Sequence, residues 1–244
     1  MSKIRIKGDT SGYVDLATSA TGGKLGIGTD TPDYDLTVEG SSHPRIRINS
    51  TDNTASGLFM HVSNSGTQTG TATLRVDGSG NYSVYNGTSS SPLNMNIDAS
   101  GRVTKPNQPM FEAYLTANMS HPSGVYNMST GDSWTTRTNI GSYFSNGTFT
   151  APVAGSYLFT AGIATNGATT QMTYFSCEFE VNGSRRYINW HGKGGNTGSY
   201  MSNTNSAVIR LAASDYVRLV TEKSNTATIV GTAAYTHFTG VFLG

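Results

Sequence analysis

From residue 1 to about 107 the apolar positions come in short alternating sets. They are Ile4/Ile6, Val14/Leu16, Leu25/Ile27, Leu36/Val38, Ile46/Ile48, Leu58/Met60/Val62, Leu74/Val76 and Leu93/Met95/Ile97. A period of two predicts strands with one buried face. Turn residues separate the sets at Lys7-Gly8-Asp9, Asp30-Thr31-Pro32-Asp33, Asp77-Gly78-Ser79-Gly80 and Asp98-Ala99-Ser100-Gly101. Two or three inward side chains per strand, none of them aromatic, make a thin core. Ordering the backbone costs about 1–2 kcal/mol per residue, so the pattern predicts a core shared among identical chains. No strict repeat period emerges, which favours intertwined short strands over a regular single-chain solenoid.

Pro106 and Pro109 close this region and predict a short, stiff connector. Beyond it the apolar runs lengthen and aromatics arrive. Strands are predicted over 110–116, 133–138, 147–150, 155–164, 174–181, 185–190, 205–211, 216–222 and 234–243. Turns fall at Ala151-Pro152, at Val181-Asn182-Gly183-Ser184 and at Ala212-Ala213-Ser214-Asp215. Asn182-Gly183 is a hairpin signal, because both residues tolerate positive φ. About nine strands without any helical period predict a two-sheet sandwich. The expected fold class is all-β, with an intertwined fibre-like region over 1–107 and a sandwich over 108–244.

Composition narrows the class of partner. Charged residues are 13% of the 244, and Lys+Arg 16 against Asp+Glu 15 leave a formal net charge of +1. Nucleic-acid binding needs a concentrated positive field, and this balance argues against it. Gly, Ser, Thr and Asn together approach half the chain, which predicts many turns and a surface of hydroxyls and amides. The N-terminus has no apolar signal-peptide core, and no run is long enough to cross a bilayer. Synthesis in a host cytoplasm without membrane insertion is the expectation. Glycosylation acceptors at Asn81, Asn118, Asn146 and Asn182 then read as by-products of composition. Cys177 is alone and reads as a small buried hydrophobe.

Candidate chemistry is sparse. The glycines of 22–28 lack the Gly-Lys-Ser/Thr ending and the following helix that a phosphate cradle requires, and His191-Gly192-Lys193-Gly194-Gly195 lacks the same context. His43, His61, His121, His191 and His237 are scattered singly, without metal-ligand spacing. Asp30, Asp33, Asp35 and Glu39 are the densest carboxylates and read as turn caps rather than a calcium loop. Glu178 and Glu180 share a strand face by period two, a face that could be exposed, and no opposed carboxylate is identifiable as the partner a glycosidase needs. No enzyme activity, cofactor or metal is expected.

Two resemblances add to this reading. Residues 143–160, with Phe149, Pro152, Gly155, Tyr157 and Phe159, resemble the C1q/TNF-like globular domain. The closing Phe238-Thr239-Gly240-Val241-Phe242-Leu243 is similar to that family's last strand, and 208–219 to its penultimate hairpin. Ser214 stands where the family usually has glycine, which implies a different turn. The resemblance implies a ten-stranded jelly roll over about 108–244 that assembles as a tight trimer. In the first region, Gly26-Ile27-Gly28-Thr29, Pro32, Leu36 and Val38 resemble a segment of bacteriophage tail-fibre and head-fibre proteins. The opening 6–14 resembles the start of structural proteins from marine and cyanobacterial phages.

These likenesses imply a virion protein: a homotrimeric fibre or capsid decoration spike held to a capsid or tail protein by its N-terminal region. A carbohydrate-binding module without a virion role and a polysaccharide-degrading tailspike are the alternatives. Tyr143, Phe149, Tyr157, Phe159, Phe238 and Phe242 are expected to divide between the sandwich core and the trimer axis. The densest mix of cations and aromatics, Arg185, Tyr187, Asn189, Trp190, His191, Lys193 and Tyr200, is the candidate surface for a host glycan or protein. By alternation Arg186, Ile188 and Trp190 share one face and Arg185, Tyr187 and Asn189 the other, so Trp190 is either a core residue or part of that surface.

Overall fold

The computed structural model describes residues 3–7, 13–18, 25–27, 31, 33–39, 46, 48, 55–64, 67–86, 93–129, 131–168, 172–192 and 200–244. Four short strands make the first sheet: β1 (Lys3–Lys7), β2 (Tyr13–Thr18), β3 (Leu25–Ile27) and β4 (Leu36–Val38). Its pairs are antiparallel except β3–β4, which is parallel with Leu25 opposite Leu36. A second sheet is an antiparallel meander of β5 (Ala55–Asn64), β6 (Thr67–Asp77), β7 (Tyr82–Tyr85), β8 (Leu93–Ile97) and β9 (Val103–Thr104).

Register sorts this second sheet into two unlike faces. Leu58, Leu74, Val84 and Met95 lie side by side across four strands, and Val76, Tyr82, Ile97 and Val103 form the next row on the same face. The opposite face carries Arg75, Ser83, Asn96 and Thr104, with Ser83 Oγ donating to Asn96 Oδ1 at 2.9 Å. Among the described residues no second sheet lies over the apolar face: Leu58 is 48% exposed, Val76 47% and Val103 56%. Ile46 and Ile48, expected in a strand, are both exposed and lie outside the strands, along the groove beside Leu58 and Leu74. The turns work as their residues predict. Asp77 Oδ1 accepts from the amides of Ser79 and Asn81, and Asp98 Oδ1 from those of Ser100 and Arg102, each at 2.9–3.0 Å.

The remaining strands are β10 (Met110–Leu115), β11 (Met119–His121), β12 (Gly124–Met128), β13 (Trp134–Ile140), β14 (Phe144–Ser145), β15 (Thr148–Thr150), β16 (Gly155–Asn166), β17 (Tyr174–Val181), β18 (Ser184–Gly192), β19 (Met201–Leu211), β20 (Tyr216–Lys223), β21 (Ala227–Ile229) and β22 (His237–Phe242). They form two sheets packed as a jelly-roll sandwich. In the seven-stranded sheet β16 is the spine, with β19 along one side and β22 then β21 along the other, while β10 and β13 extend beyond β22. The six-stranded sheet runs β14-β15-β20-β17-β18, with β12 also paired to β20.

Between the sheets lies an aromatic core. Phe111 stacks on Phe144 at 4.6 Å and on Phe149 at 5.2 Å, and meets Phe238 edge-on at 4.9 Å. Gly240 is what lets these rings close: a Cβ there would meet Phe111 at 2.4 Å and Phe159 at 2.8 Å. Cys177 sits in this core as expected, and burial pushes its thiol up to about 12. Asn182 (φ 50°) and Gly183 (φ 80°) make the β17–β18 turn with two positive φ angles, the geometry the dipeptide predicts. Ser214 adopts φ 72°, in the left-handed region that favours glycine.

The connector differs from a simple spacer. Asn107 Nδ2 donates back to Leu93 O in β8 at 3.0 Å, and Gln108 Nε2 donates to Phe242 O. Phe242 N in turn donates to Pro109 O at 3.0 Å, while Ser156 N and Gly244 O close at 2.7 Å. The last strand therefore clasps the connector, and the meander abuts the base of the sandwich.

Candidate functional site

Of the six aromatics expected at core or axis, Phe149, Tyr157, Phe159 and Phe238 are fully buried within one chain, so none of these four lines an axis. Tyr143 and Phe242 are partly buried and pack against that core.

The candidate recognition segment begins on β18, the edge of the six-stranded sheet. Pairing with β17 slips between Cys177 and Phe179, where Tyr187 takes φ 51° and leaves an extra residue on β18. This bulge breaks the simple alternation. Arg185 stands opposite Glu180, Asn189 opposite Cys177 and Trp190 opposite Ser176. Trp190 thereby turns onto the outer face of the sheet and is 48% exposed, which rules out its core reading. Its indole meets the Tyr174 ring edge-on at 5.2 Å and 78°.

Asn189 is no free surface donor. Its Nδ2 donates to Thr204 O at 2.5 Å, and Asn203 Nδ2 donates to Asn189 O at 2.7 Å. Asn205 Nδ2 likewise donates to Cys177 O at 2.9 Å and to Tyr187 O. Amides of β19 thus seal the open side of the sandwich and occupy carbonyls on the β18 edge, which blunts it against strand addition. Tyr187 and Ile188 remain exposed on that edge. His191 pairs opposite Phe175 through its backbone. Lys193 and the glycines of 194–198 lie outside the described residues. Tyr200 is 60% exposed and stacks on Tyr235 at 5.7 Å, beside β16 and away from Trp190's face.

Glu178 and Glu180 share a face, as the spacing predicts, but they are buried rather than open to solvent. Arg185 explains this. Its Nε and Nη2 grip Glu178 bidentately at 2.5 Å each, and Nη2 also reaches Glu222 Oε2 at 2.5 Å. Hydrogen bonding to Glu178, ahead of that to Glu222, raises the pKa of the guanidinium against the cost of its burial. Arg218 pairs with Glu180 at 2.5 Å. Ser176 Oγ donates to Glu178 Oε1 at 2.5 Å and accepts from Glu222 N at 2.8 Å.

The two outer faces of the sandwich therefore differ in chemistry. That of the six-stranded sheet is a field of ion pairs ending at Trp190. That of the seven-stranded sheet carries Met110, Val241, Leu158 and Val208 in one row and Glu112, Thr239, Thr160 and Ser206 in the next. An open groove runs along Met110, Leu158, Thr160 and Val241, and the Glu112 carboxylate is neutralised by Arg137 at 2.8 Å. Sequence reasoning missed Tyr174, Ser176, Glu222, Asn203 and Asn205. Period two in β17 places Tyr174 and Ser176 with Glu178, but nothing local ties Glu222 to Arg185. Among the described residues no three His, Cys, Asp or Glu side chains converge as a metal set.

No curated protein matches this sequence. Among solved structures, mouse APRIL is similar at 16% identity and a TM-score of 0.41, over 56% of this chain and 99% of that one. The globular domain of zebrafish complement 1qA is similar at 13% identity and 0.39, over 56% and 98%. Eiger TNF from S. frugiperda is similar at 14% identity and 0.39, over 56% and 94%. A family model described as the C1q domain matches residues 111–243. That span is more than half of the sequence and coincides with the jelly-roll sandwich, and the chain belongs to the C1q-domain family.

Proposed function

We propose that this chain is a structural protein of a bacteriophage virion, a homotrimeric fibre or capsid decoration spike whose C1q head binds the host surface. The observation that carries the assembly is the uncovered apolar face of the β5–β9 sheet. Eight apolar side chains in two rows have no second sheet over them among the described residues, and Leu58, Val76, Tyr82 and Val103 are exposed. Interfaces between obligate partners resemble a core cut in half, and further copies of this chain supply the missing layer. On the head, Met110, Leu158, Val208 and Val241 form an uncharged row on the outer face of the seven-stranded sheet, a second apolar strip that such copies can cover.

The virion role is supported by the resemblance of 6–14 and 24–40 to phage structural proteins, upstream of a C1q domain. Residues 1 to about 40 attach to a capsid or tail protein, and the head projects outward with the ion-paired face and Trp190 open. Electron microscopy of phage particles labelled with an antibody to the head tests this. Label at regular positions on the particle is expected, lost when residues 1–40 are deleted. Retention of the truncated protein on particles contradicts the assigned polarity, and unlabelled wild-type particles contradict the virion role.

A further inference from the structure

We infer that the outer face of the six-stranded sheet around Trp190 is a binding site for neutral saccharides. This rests on the reading of the head as the host-binding end, and names the ligand class that such an end would take.

The site is a single cross-strand row. Trp190 on β18 stands opposite Ser176 on β17, and Ser176 Oγ accepts from the backbone amide of Glu222 on β20 at 2.8 Å. Two strand spacings of about 4.8 Å separate Trp190 from Glu222, so the row spans roughly 10 Å, enough for one pyranose ring beside the indole. Each end has the right chemistry. Trp190 is half exposed on an outer face, and the edge of Tyr174 holds its indole in a fixed plane. A sugar ring presents C–H groups on its faces, and these pack on an aromatic π-surface. At the other end Arg185 and Glu222 are held in register by their own bond and by Glu178, with side chains 29% and 22% open to solvent.

That pair offers what vicinal hydroxyls need. Arg185 uses Nε and Nη2 on the two carboxylates, which leaves the Nη1 amino group outside these bonds, and Glu222 uses Oε2, which leaves Oε1 as acceptor. A donor and an acceptor fixed side by side match two neighbouring hydroxyls, each of which both donates and accepts. Ordering the pair costs nothing on binding, because Glu178 is buried and already locks Arg185 in place.

Charge selects among sugars. The guanidinium of Arg185 is matched against two carboxylates, Glu178 and Glu222, and Arg218 is committed to Glu180. Among the described residues the row thus carries a net negative charge and no free cation. Sialylated or phosphorylated sugars meet repulsion there, and neutral ones do not. An exposed tryptophan covering only apolar protein surface would not need this preorganised polar shelf beside it.

The test uses the full-length protein and two readouts, tryptophan fluorescence and isothermal titration calorimetry, with lactose, maltotriose and mannotriose as neutral probes and sialyllactose and glucose phosphate as anionic ones. The chain has two tryptophans, and Trp134 lies in the other sheet, so a saturable change in emission reports on Trp190. At least one neutral probe is expected to saturate, and the anionic probes to bind at least about tenfold more weakly. Trp190→Ala should weaken the neutral sugar about tenfold or more with an unchanged melting temperature. Trp190→Phe, read by calorimetry, should restore most of the affinity, and Glu222→Gln should narrow the gap between neutral and anionic probes. Absence of saturable binding by every neutral probe, equal binding of sialyllactose, or full affinity in well-folded Trp190→Ala overturns the site. These failures with assembly mass and particle labelling intact leave the virion reading standing; loss of labelling with sugar binding intact does the reverse.

Discussion

The β5–β9 meander and the jelly-roll head obey the same alternation rule and reach opposite outcomes. In the head, the apolar faces of two sheets oppose each other, so Phe159 and Phe238 are completely buried in one chain. In the meander the apolar face is just as continuous, yet Leu58, Val76 and Val103 stay about half exposed, with no second sheet over them among the described residues. Period two therefore determines which side of a strand is apolar, and the number of layers determines whether that side is a core or an interface. A sheet with one polar face and one exposed apolar face carries the kind of patch that marks an interaction site.

Substitutions should separate these two kinds of apolar face. Phe111→Ala removes the ring that touches Phe144, Phe149 and Phe238, and should cost the head about 3–5 kcal/mol, read by denaturant unfolding. Val76→Asp, on the open meander face, should leave the head's unfolding unchanged and dissociate the assembly. A Val76→Asp protein that keeps its assembled mass would erase the distinction.

Somewhat smaller effects come from the ion-paired face. Glu178→Ala leaves Arg185 with Glu222 as its carboxylate partner, and with Arg185 partly open to water the expected cost is about 2–3 kcal/mol. A change below about 0.5 kcal/mol would class the pair with ordinary surface bridges.

The two regions should also answer differently to pH. Lys223 is buried on β20, with Nζ donating only to His121 O and Pro122 O, and desolvation lowers its pKa to about 8. Between about 8 and its ordinary 10.5 the unfolded chain holds a proton that the folded head has lost, so stability rises with pH across that window. Lys223→Met should flatten the rise, measured by thermal melting. Asp77 and Asp98 in the meander act in a lower window with the same sign: hydrogen bonds from Asn81 and from Arg102 depress their pKa values. Their contribution is complete above the ordinary carboxylate value of 3.8 and is lost as pH falls through the folded value. Asp215 gives the head one group of the same kind. The smallest expected effect is at the β19–β20 turn, where Ser214→Gly should add about 0.5–1 kcal/mol by relieving a positive φ. No gain would mean that the seryl hydroxyl compensates for the backbone.

Much of the fold was readable because local chemistry and tertiary demand agree. Tyr174–Val181 has its predicted bounds, and Asn182-Gly183 forms the turn its composition favours. The short strands Met119–His121, Phe144–Ser145 and Ala227–Ile229 escaped notice because two or three residues establish no period. The site was harder. Tyr187 carries no mark of a bulge, since its positive φ is imposed by the slipped register and held by Asn205 from another sheet. Glu178 lies near Arg185 in sequence, but Glu222 joins them only through pairing of β17 with β20. Alternation alone also left Trp190 between core and surface, and the one-residue slip decides it. The turn aspartates were plain in the sequence: Asp77 and Asp98 open matching Asp-x-Ser-Gly turns, and a third, Asp9-Thr10-Ser11-Gly12, lies outside the described residues.

In the proposed assembly the open face of the meander is closed by further copies of the same chain. Multi-angle light scattering of the full-length protein, followed to nanomolar concentration by mass photometry, measures this directly. A single species of about three times the 25.8 kDa chain mass that does not dissociate on dilution is expected. A stable, folded 25.8 kDa monomer with the face of Leu58, Leu74, Val76 and Val103 left in water would contradict it.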